Sequence, residues 1–517
     1  VSIAGGHTGF ETGGVRSLRS DALFHLFIAL LAVVASVSAF AVWTPFGVAA
    51  TFLLTLVLSV ASPGCIPVVI ACSFLYQNLV VAWFTPFVPD HNTFDALRGA
   101  NFVILMTAFG IFLAASFQYR VRTLTELRPW LLFSFALCAT VSFYFALGAV
   151  HGGPKDAVIY FRNTLTPLAC FHIAILAASL YPIDLRKAIF WLCVGAIAYG
   201  YLEQIFRMDF LSLFHGDLYV QRGLKAQIES GIWEKRLRET GFVLRGLEDT
   251  MMTTFFNIKL LSELFPPIFR NGGPNFHPIS YAYGLSIMSA WLLFRGRWVV
   301  PIVALPLLLV IGSKGATFML LVAFGAQLMF RPSRAELTLM TVVVLAVVWT
   351  VVAIVFGATH GDYHVLGLIA GVREFLHNPF GQGLGIGGNL SSTSLNLDWD
   401  RAQGEGVASI PVESAIGVML YQMGVGSIVF FGFLVALAMS ARRQLIATGD
   451  PDFLFAFVAI VTITSNAVLQ EEAFFSPLAL GFCLLLVGVS FGTRWRALAL
   501  ARGTHARHGT ATTQPPR

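Results

Sequence analysis

Charge is what this 517-residue sequence has least of. Lys, Arg, Asp and Glu together make up 12% of it, against 56% hydrophobic residues. Soluble domains carry about 25% charged residues. Half that supply leaves too little polar surface to cover a globule in water, with 47 phenylalanines to bury. Cysteine is scarce too. The six cysteines (Cys65, Cys72, Cys138, Cys170, Cys193 and Cys483) lie in or beside apolar runs without C-x-x-C spacing, so neither a disulfide framework nor a zinc site is expected. No internal repeat is visible, whereas transporters are often built from repeated halves. The formal charge of +6 does not imply nucleic acid, because the cytoplasmic loops of membrane proteins are enriched in Lys and Arg.

What is present is a series of apolar runs of about 20 residues, the length of a transmembrane helix. About fourteen spans are expected, at 22–43, 45–62, 66–85, 101–118, 129–149, 157–180, 188–206, 276–294, 298–312, 316–330, 337–357, 411–438, 453–469 and 474–491. The first reads as a span rather than a cleavable leader. The expected fold is therefore an all-α polytopic membrane protein. Its segments are an N-terminus (1–21), seven spans (22–206), a hydrophilic loop (207–275), four spans (276–357), a Gly-rich loop (358–410), three spans (411–491) and a tail expected to be disordered (492–517). Apolar residues recur at helical intervals in the first long loop, which predicts helices lying on the membrane surface.

Basic residues give the orientation. Arg16 and Arg19 precede the first span; Arg120, Arg122 and Arg128 follow the fourth; Arg186 and Lys187 follow the sixth. Arg295 and Arg297 follow the eighth, Arg331 and Arg334 the tenth, and Arg442 and Arg443 the twelfth, while Arg494, Arg496 and Arg502 begin the tail. By the positive-inside rule both termini are cytoplasmic and the two long loops lie outside. That placement governs the stretch "HNPFGQGLGIGG". Gly383, Gly385 and Gly388 spell G-x-G-x-x-G, but the dinucleotide fingerprint needs a preceding strand inside a β-α-β unit. An extracytoplasmic loop between membrane helices offers neither. Nucleotide binding is not expected.

Ionisable residues inside or at the mouth of spans are functional hypotheses by default. Arg162 lies about a turn below the outer surface, Arg270 stands where the eighth span enters, and Lys314 sits at the outer break between the ninth and tenth spans. Arg373 heads the glycine loop and Glu413 stands at the outer end of the twelfth span. Snorkelling to the interface is the structural alternative for each, strongest for Lys314 and Arg373. Five charged residues from distant positions thus map to one leaflet. Arginines clamp diphosphate by bidentate, charge-assisted hydrogen bonds, so the set suits a polyprenyl-diphosphate-linked sugar. Transfer from such a donor needs stabilisation of the departing diphosphate and a base for the acceptor hydroxyl. Glycines such as Gly383 and Gly385 let a backbone approach phosphate or sugar closely.

At these residues the sequence resembles the superfamily of O-antigen ligases and O-antigen polymerases. The matching pieces are "YFRN" around Arg162, an R-x-G-G…P element (Arg270, Gly272, Gly273, Pro278) and an S-[RK]-G-A motif from Ser313 to Ala316. They continue with an N-P-x-G-x-G-x-G loop (Asn378, Pro379, Gly381, Gly383, Gly385) and an E-S…G-x-G helix (Glu413, Ser414, Gly424, Gly426). The pieces occur in the expected order over residues 160–430. The resemblance implies a GT-C-like integral-membrane glycosyltransferase, without metal or other cofactor, acting on undecaprenyl-diphosphate-linked oligosaccharide outside the cytoplasmic membrane. It admits a chain-length-regulating co-polymerase as a partner besides membrane lipids.

The departures carry information. The glycine run continues through Gly387 and Gly388, and the basic member of S-[RK]-G-A is Lys314, which lacks the planar fork of Arg. Ligases of the superfamily carry a His after the glycine loop; here no His lies between 378 and 504, and Glu413 occupies the comparable region. That favours a polymerase over a ligase and makes Glu413 the expected base, with His377 the alternative. Asp398, Trp399 and Asp400 spell the D-x-D of cytosolic metal-dependent glycosyltransferases. In an outer loop, sugar contact by Asp398 and stacking by Trp399 are the functional readings, and a solvated loop the structural one. His360 and His364 are four apart without a third ligand nearby, and Glu471 and Glu472 read as a solvated outer turn. A flippase or transporter of lipid-linked oligosaccharide is the rival from another class.

Overall fold

A computed structural model describes residues 22–118, 121, 124–229, 247–257 and 264–511. The N-terminal Arg16 and Arg19, Arg120 and Arg122, and much of the first long loop lie outside the described residues.

Apolar runs free of interior charge form long helices, as their length and propensity require. In chain order they are α1 (Ala22–Val42), α2 (Thr44–Ala61), α3 (Ile66–Phe84), α4 (His91–Arg98), α5 (Ala100–Ala115), α6 (Arg128–His151), α7 (Pro154–Leu180) and α8 (Arg186–Ser212). After them come α9 (Gly216–Glu229), the single turn α10 (Leu247–Thr250) and a two-residue antiparallel ladder, β1 (Met252–Thr253) with β2 (Ile268–Phe269). The second half holds α11 (Pro278–Phe294), α12 (Val299–Ile311), α13 (Lys314–Met329), α14 (Ala335–His360), α15 (Tyr363–His377), α16 (Trp399–Glu405), α17 (Ala415–Met423), α18 (Val425–Thr448), α19 (Pro451–Ala467), α20 (Glu472–Phe475) and α21 (Phe482–Ala511).

Among the described residues nine helices are long and apolar enough to cross a membrane, or ten if the bent pair α4–α5 is one span. The protein is an all-α, multi-pass membrane protein. Four further apolar helices, α11, α12, α13 and α19, have fewer than 18 residues; the expected fourteen spans would need all of them to cross as well.

Burial sorts the helices. The most apolar window of α7 is wholly buried, whereas that of α14 is 17% buried. Val344, Val348, Val352 and Val355 of α14 are exposed, as befits a helix facing lipid tails. α7 is the central helix. It packs along α21, and small residues set the approach: a Cβ on Gly488 would lie 2.8 Å from Ala174 Cβ, and one on Gly492 2.5 Å from the Ile175 carbonyl oxygen. Gly488 and Gly492 form a G-x-x-x-G pair, the spacing that lets membrane helices touch backbone to backbone.

Two expectations need correction. The twelfth span is not one helix: Gly424 (φ 48°, ψ −127°) separates α17 from α18. A Cβ there would lie 2.1 Å from the Pro379 carbonyl oxygen, so the break seats the glycine loop against the bundle. The tail is helical through Ala511 rather than disordered from 492, because its Ala, Leu and Arg residues are strong helix formers. The stretch of the first long loop read as helical, 230–269, lies largely outside the described residues (230–246 and 258–263); α9 ends just before it, and its described part holds α10 and the β1–β2 ladder.

Candidate active site

Arg162 projects from the buried α7, half exposed, with Nε donating to Asn163 Oδ1 at 3.2 Å. Arg98, the last residue of α4, acts electrostatically on Arg162, with Asp95 in opposition. The Arg98 side chain is 46% exposed and is paired with Asp95 at 3.4 Å. Its charge also reaches His277, at the start of α11, as does that of Arg270. Arg270 in turn interacts with Glu472, and Glu472 with Glu413 and His364. These groups form a series of neighbouring pairs: Arg162 with Arg98, Arg98 and Arg270 with His277, and Arg270 with Glu472, which in turn senses Glu413 and His364. His277 is exposed to solvent yet crowded by neighbouring protein.

The R-x-G-G…P segment is fixed from below. Glu203, fully buried on α8, accepts from the amides of Gly272 (2.8 Å) and Gly273 (2.9 Å). Asn271 Nδ2 donates to the Gly200 carbonyl at 2.7 Å. Gly273 has φ 66°, and a Cβ there would lie 2.3 Å from the Tyr281 ring; a side chain has no room. With the loop clamped, Arg270 Nε donates to the carbonyl of Ile311, the last residue of α12, at 3.0 Å. Burial pulls the Arg270 guanidinium below its ordinary pKa, and Glu472 opposes that shift. A guanidinium stays charged regardless.

His277 caps α11: its Nδ1 accepts from the Ser280 amide at 3.3 Å. By that hydrogen-bond assignment the neutral ring carries its proton on Nε2. Burial, with the charges of Arg270 and Arg98, lowers its pKa to about 4, so at neutral pH His277 is a neutral donor rather than a cation.

Glu413 lies just before α17 with φ 64°, a left-handed conformation costing a non-glycine residue about 1–3 kcal/mol and often found at active sites. The next residue shows what holds it: Ser414 Oγ accepts from Gly417 N at 3.0 Å and donates to the Val468 carbonyl at 2.6 Å. The Glu413 carboxylate is 3.7 Å from His364 Nδ1 and one-third exposed. His364 Nδ1 is nearer still to the Glu413 backbone carbonyl, at 3.3 Å, and among the described residues Glu413 forms no ion pair with Arg270. His360, by contrast, turns to the Phe356 carbonyl at 2.8 Å and stacks on the Phe356 ring.

The glycine loop faces inward. Gly381, Gly383, Gly385, Gly387 and Gly388 all have positive φ. A Cβ on Gly383 would lie 2.3 Å from Gly148 N, on Gly385 2.4 Å from Ala157 N, and on Gly388 1.9 Å from Tyr160 Oη. Gly383 N donates to the Gln422 carbonyl and Leu384 N to the Tyr144 carbonyl, both at 2.9 Å. These glycines let the loop wedge between α6, α7 and α17; the Gly383 amide is engaged with protein rather than turned to a ligand.

Beyond the glycines, Asp156 of α7 accepts from Ser392 N at 2.8 Å and Ser392 Oγ at 2.6 Å. Glu471 accepts from Asn389 N at 2.9 Å and from Tyr160 Oη at 2.5 Å. Glu471 is buried, not solvated as the sequence suggests. Burial, then the neighbouring Glu472 and Glu413 charges, push its pKa up to about 8 against the two hydrogen bonds.

The remaining candidates sit apart from this cluster. Arg373 and His377 are exposed on α15, and His377 Nδ1 lies 2.7 Å from the Arg373 carbonyl. Lys314 is exposed at the start of α13, three residues beyond the Ile311 carbonyl that Arg270 contacts. Asp398 is the N-cap of α16, accepting from Arg401 N at 3.1 Å, which explains one member of the D-x-D structurally; the side chains of Trp399 and Asp400 lie outside the described residues. Among the described residues no three His, Cys, Asp or Glu side chains are grouped as a metal ion would require.

The structure thus links Arg270 through Glu472 to Glu413, and Arg162 through Arg98 and His277 to Arg270, and adds Glu203, His364 and Glu471 around them. Glu203 had a usable signal, being an ionisable residue inside an apolar run. In comparisons with family models, curated proteins and solved structures, nothing matches the chain.

Proposed function

We propose that the protein is an integral-membrane glycosyltransferase that polymerises polyprenyl-diphosphate-linked oligosaccharide repeat units, in the manner of an O-antigen or exopolysaccharide polymerase. The observation that carries this reading is the run of electrostatic neighbours from Arg162 through Arg98, His277 and Arg270 to Glu472, Glu413 and His364. Arginine forks match diphosphate oxygens, and fixed positive charge stabilises a leaving diphosphate as negative charge develops on it. Lys314, Arg373 and His377 belong at most to the rim.

In the proposed reaction the acceptor sugar hydroxyl attacks the anomeric carbon of the donor. Glu413 takes the hydroxyl proton, with His364 polarising the carboxylate from 3.7 Å away. The anomeric C–O bond to the diphosphate breaks and its electron pair leaves with the lipid diphosphate, held by Arg162 and Arg270. Neutral His277 donates from Nε2 without adding a charge. The positive-inside distribution supports an active site on the outer face of the cytoplasmic membrane.

The test is incubation of purified protein with a lipid-linked oligosaccharide of one repeat. A ladder of longer lipid-linked products is expected. Single transfer to a different acceptor would indicate a ligase instead, and transbilayer movement without product a flippase.

A further inference from the structure

The end of the bundle away from Arg162 holds a second charged feature. Arg162 and the end of α7 at Leu180 are eighteen residues apart, about 27 Å of helix at 1.5 Å per residue. Beyond that end lies a cavity of about 620 Å3 lined by Arg186 and Lys187 of α8, Arg295 and Arg297 of the α11–α12 turn, and Asp450 and Asp452 of the α18–α19 turn. Its two acids are engaged. Asp452 pairs with Arg295, whose guanidinium also stacks on Trp291, 3.4 Å from the ring centre. Asp450 caps α19, accepting from Asp452 N at 2.9 Å.

That leaves Arg186, Lys187 and Arg297, all exposed. None has an ion-pair partner among the described residues; Arg297 only leans over the Phe190 ring at 5.7 Å. Next to these residues in the chain the surface turns apolar and open: Trp191, Val299 and Ile302 are 50%, 73% and 57% exposed. A cationic recess beside an exposed apolar strip with an interfacial tryptophan matches a phosphate headgroup with acyl chains running away from it.

We infer that this cavity binds the phosphodiester headgroup of an anionic phospholipid in the leaflet opposite the candidate active site. The cavity lining carries four cations, Arg186, Lys187, Arg295 and Arg297, against the carboxylates of Asp450 and Asp452, an excess of positive charge that suits one phosphate. A lone surface lysine would give only screened, nonspecific attraction. The inference is independent of the proposed glycosyl transfer, since it uses none of the same residues.

The experiment measures lipid retention on full-length purified protein by native mass spectrometry. The probes are phosphatidylglycerol, phosphatidylcholine and inorganic phosphate, offered separately. Phosphatidylglycerol is expected to be retained in preference to phosphatidylcholine, and millimolar phosphate is expected not to displace it. Lys187→Gln should lower retention about fivefold, as for one basic residue near a charged headgroup. Arg186→Ala with Arg297→Ala should lower it at least about tenfold. The comparison variant, Arg331→Ala with Arg334→Ala, removes two exposed charges outside the cavity and should retain lipid as the wild type does. Equal retention of both lipids, or equal loss in the comparison variant, would overturn the site. Displacement by free phosphate would reassign it to a soluble anion and overturn the lipid. Should the double variant fail to fold, Lys187→Gln and the wild-type lipid preference decide the matter alone.

Discussion

A guanidinium at the centre of a span costs about 2.5–3.5 kcal/mol by insertion scales and less toward the span mouth, where Arg162 is placed; from the described residues it gains one side-chain hydrogen bond, to Asn163. A bound anion would give its remaining donors a partner. Arg162→Ala should therefore fold normally and lose polymer formation. Arg270→Lys keeps charge but loses the fork, and should reduce turnover about tenfold or more. Turnover should survive EDTA, because the arginines supply the positive charge. Glu413→Gln removes the base while keeping its shape; it should bind lipid-linked donor normally and turn over at least about a hundredfold slower. Normal turnover in that variant would move the base to Glu472. A different outcome is expected at Glu203. Glu203→Ala strands the buried amides of Gly272 and Gly273, at about 1–3 kcal/mol each, so the thermal midpoint should fall along with activity. Arg162, Arg270 and Glu413 were legible in the sequence because a charge at a span mouth is conspicuous against apolar neighbours. Arg98, His277 and Glu472 were not. They stand in polar surroundings where a charge looks solvated, and only the tertiary fold makes them neighbours of the charged set.

At the scale of elements, the close approach of α7 and α21 decides whether Arg162 is held in place. Gly492→Val would drive a side chain into the Ile175 carbonyl and should sharply reduce the yield of folded protein. Gly432→Ala is the control. A Cβ on Gly432, within α18, meets nothing within 4 Å, so the change should be neutral or favourable by about 1 kcal/mol. Long apolar runs made the helices readable, since composition and length alone demand them. Their breaks were less so. Gly424 lies inside an apolar run that reads as one span, and its helix stops because Pro379 of a distant loop approaches there. That approach is a tertiary event with no local signature. The glycine loop is similar: its spacing was plain, but its use in seating the chain against Gly148, Ala157 and Tyr160 was not.

For the molecule as a whole, two titrating groups outside the spans, buried Glu471 and solvent-accessible His277, set a pH dependence of stability. Glu471, raised from 4.5 to about 8, binds its proton more tightly when folded. Its contribution is complete below pH 4.5 and is lost as pH rises through 8. His277, lowered from 6.5 to about 4, works oppositely: its contribution is present above pH 6.5 and lost as pH falls through 4. Between about 4.5 and 6.5 the two slopes offset each other, so the Glu471 effect stands clear from 6.5 to 8. The thermal midpoint in detergent should fall across that upper window, and Glu471→Gln should flatten the fall. The fold class was legible at this scale because so few charges cannot cover a water-soluble globule of this length. Which charged residues meet was not, since residues 98, 162, 270, 413 and 472 converge only once the helices pack. We propose that these charges together make a site for a lipid diphosphate. Its most direct test is binding of a short polyprenyl diphosphate to purified protein, compared with the matching monophosphate and alcohol, in wild type and in Arg162→Ala and Arg270→Ala. The account predicts preference for the diphosphate and at least about a tenfold loss in each variant. Equal binding of all three compounds, or binding untouched by both substitutions, would contradict it.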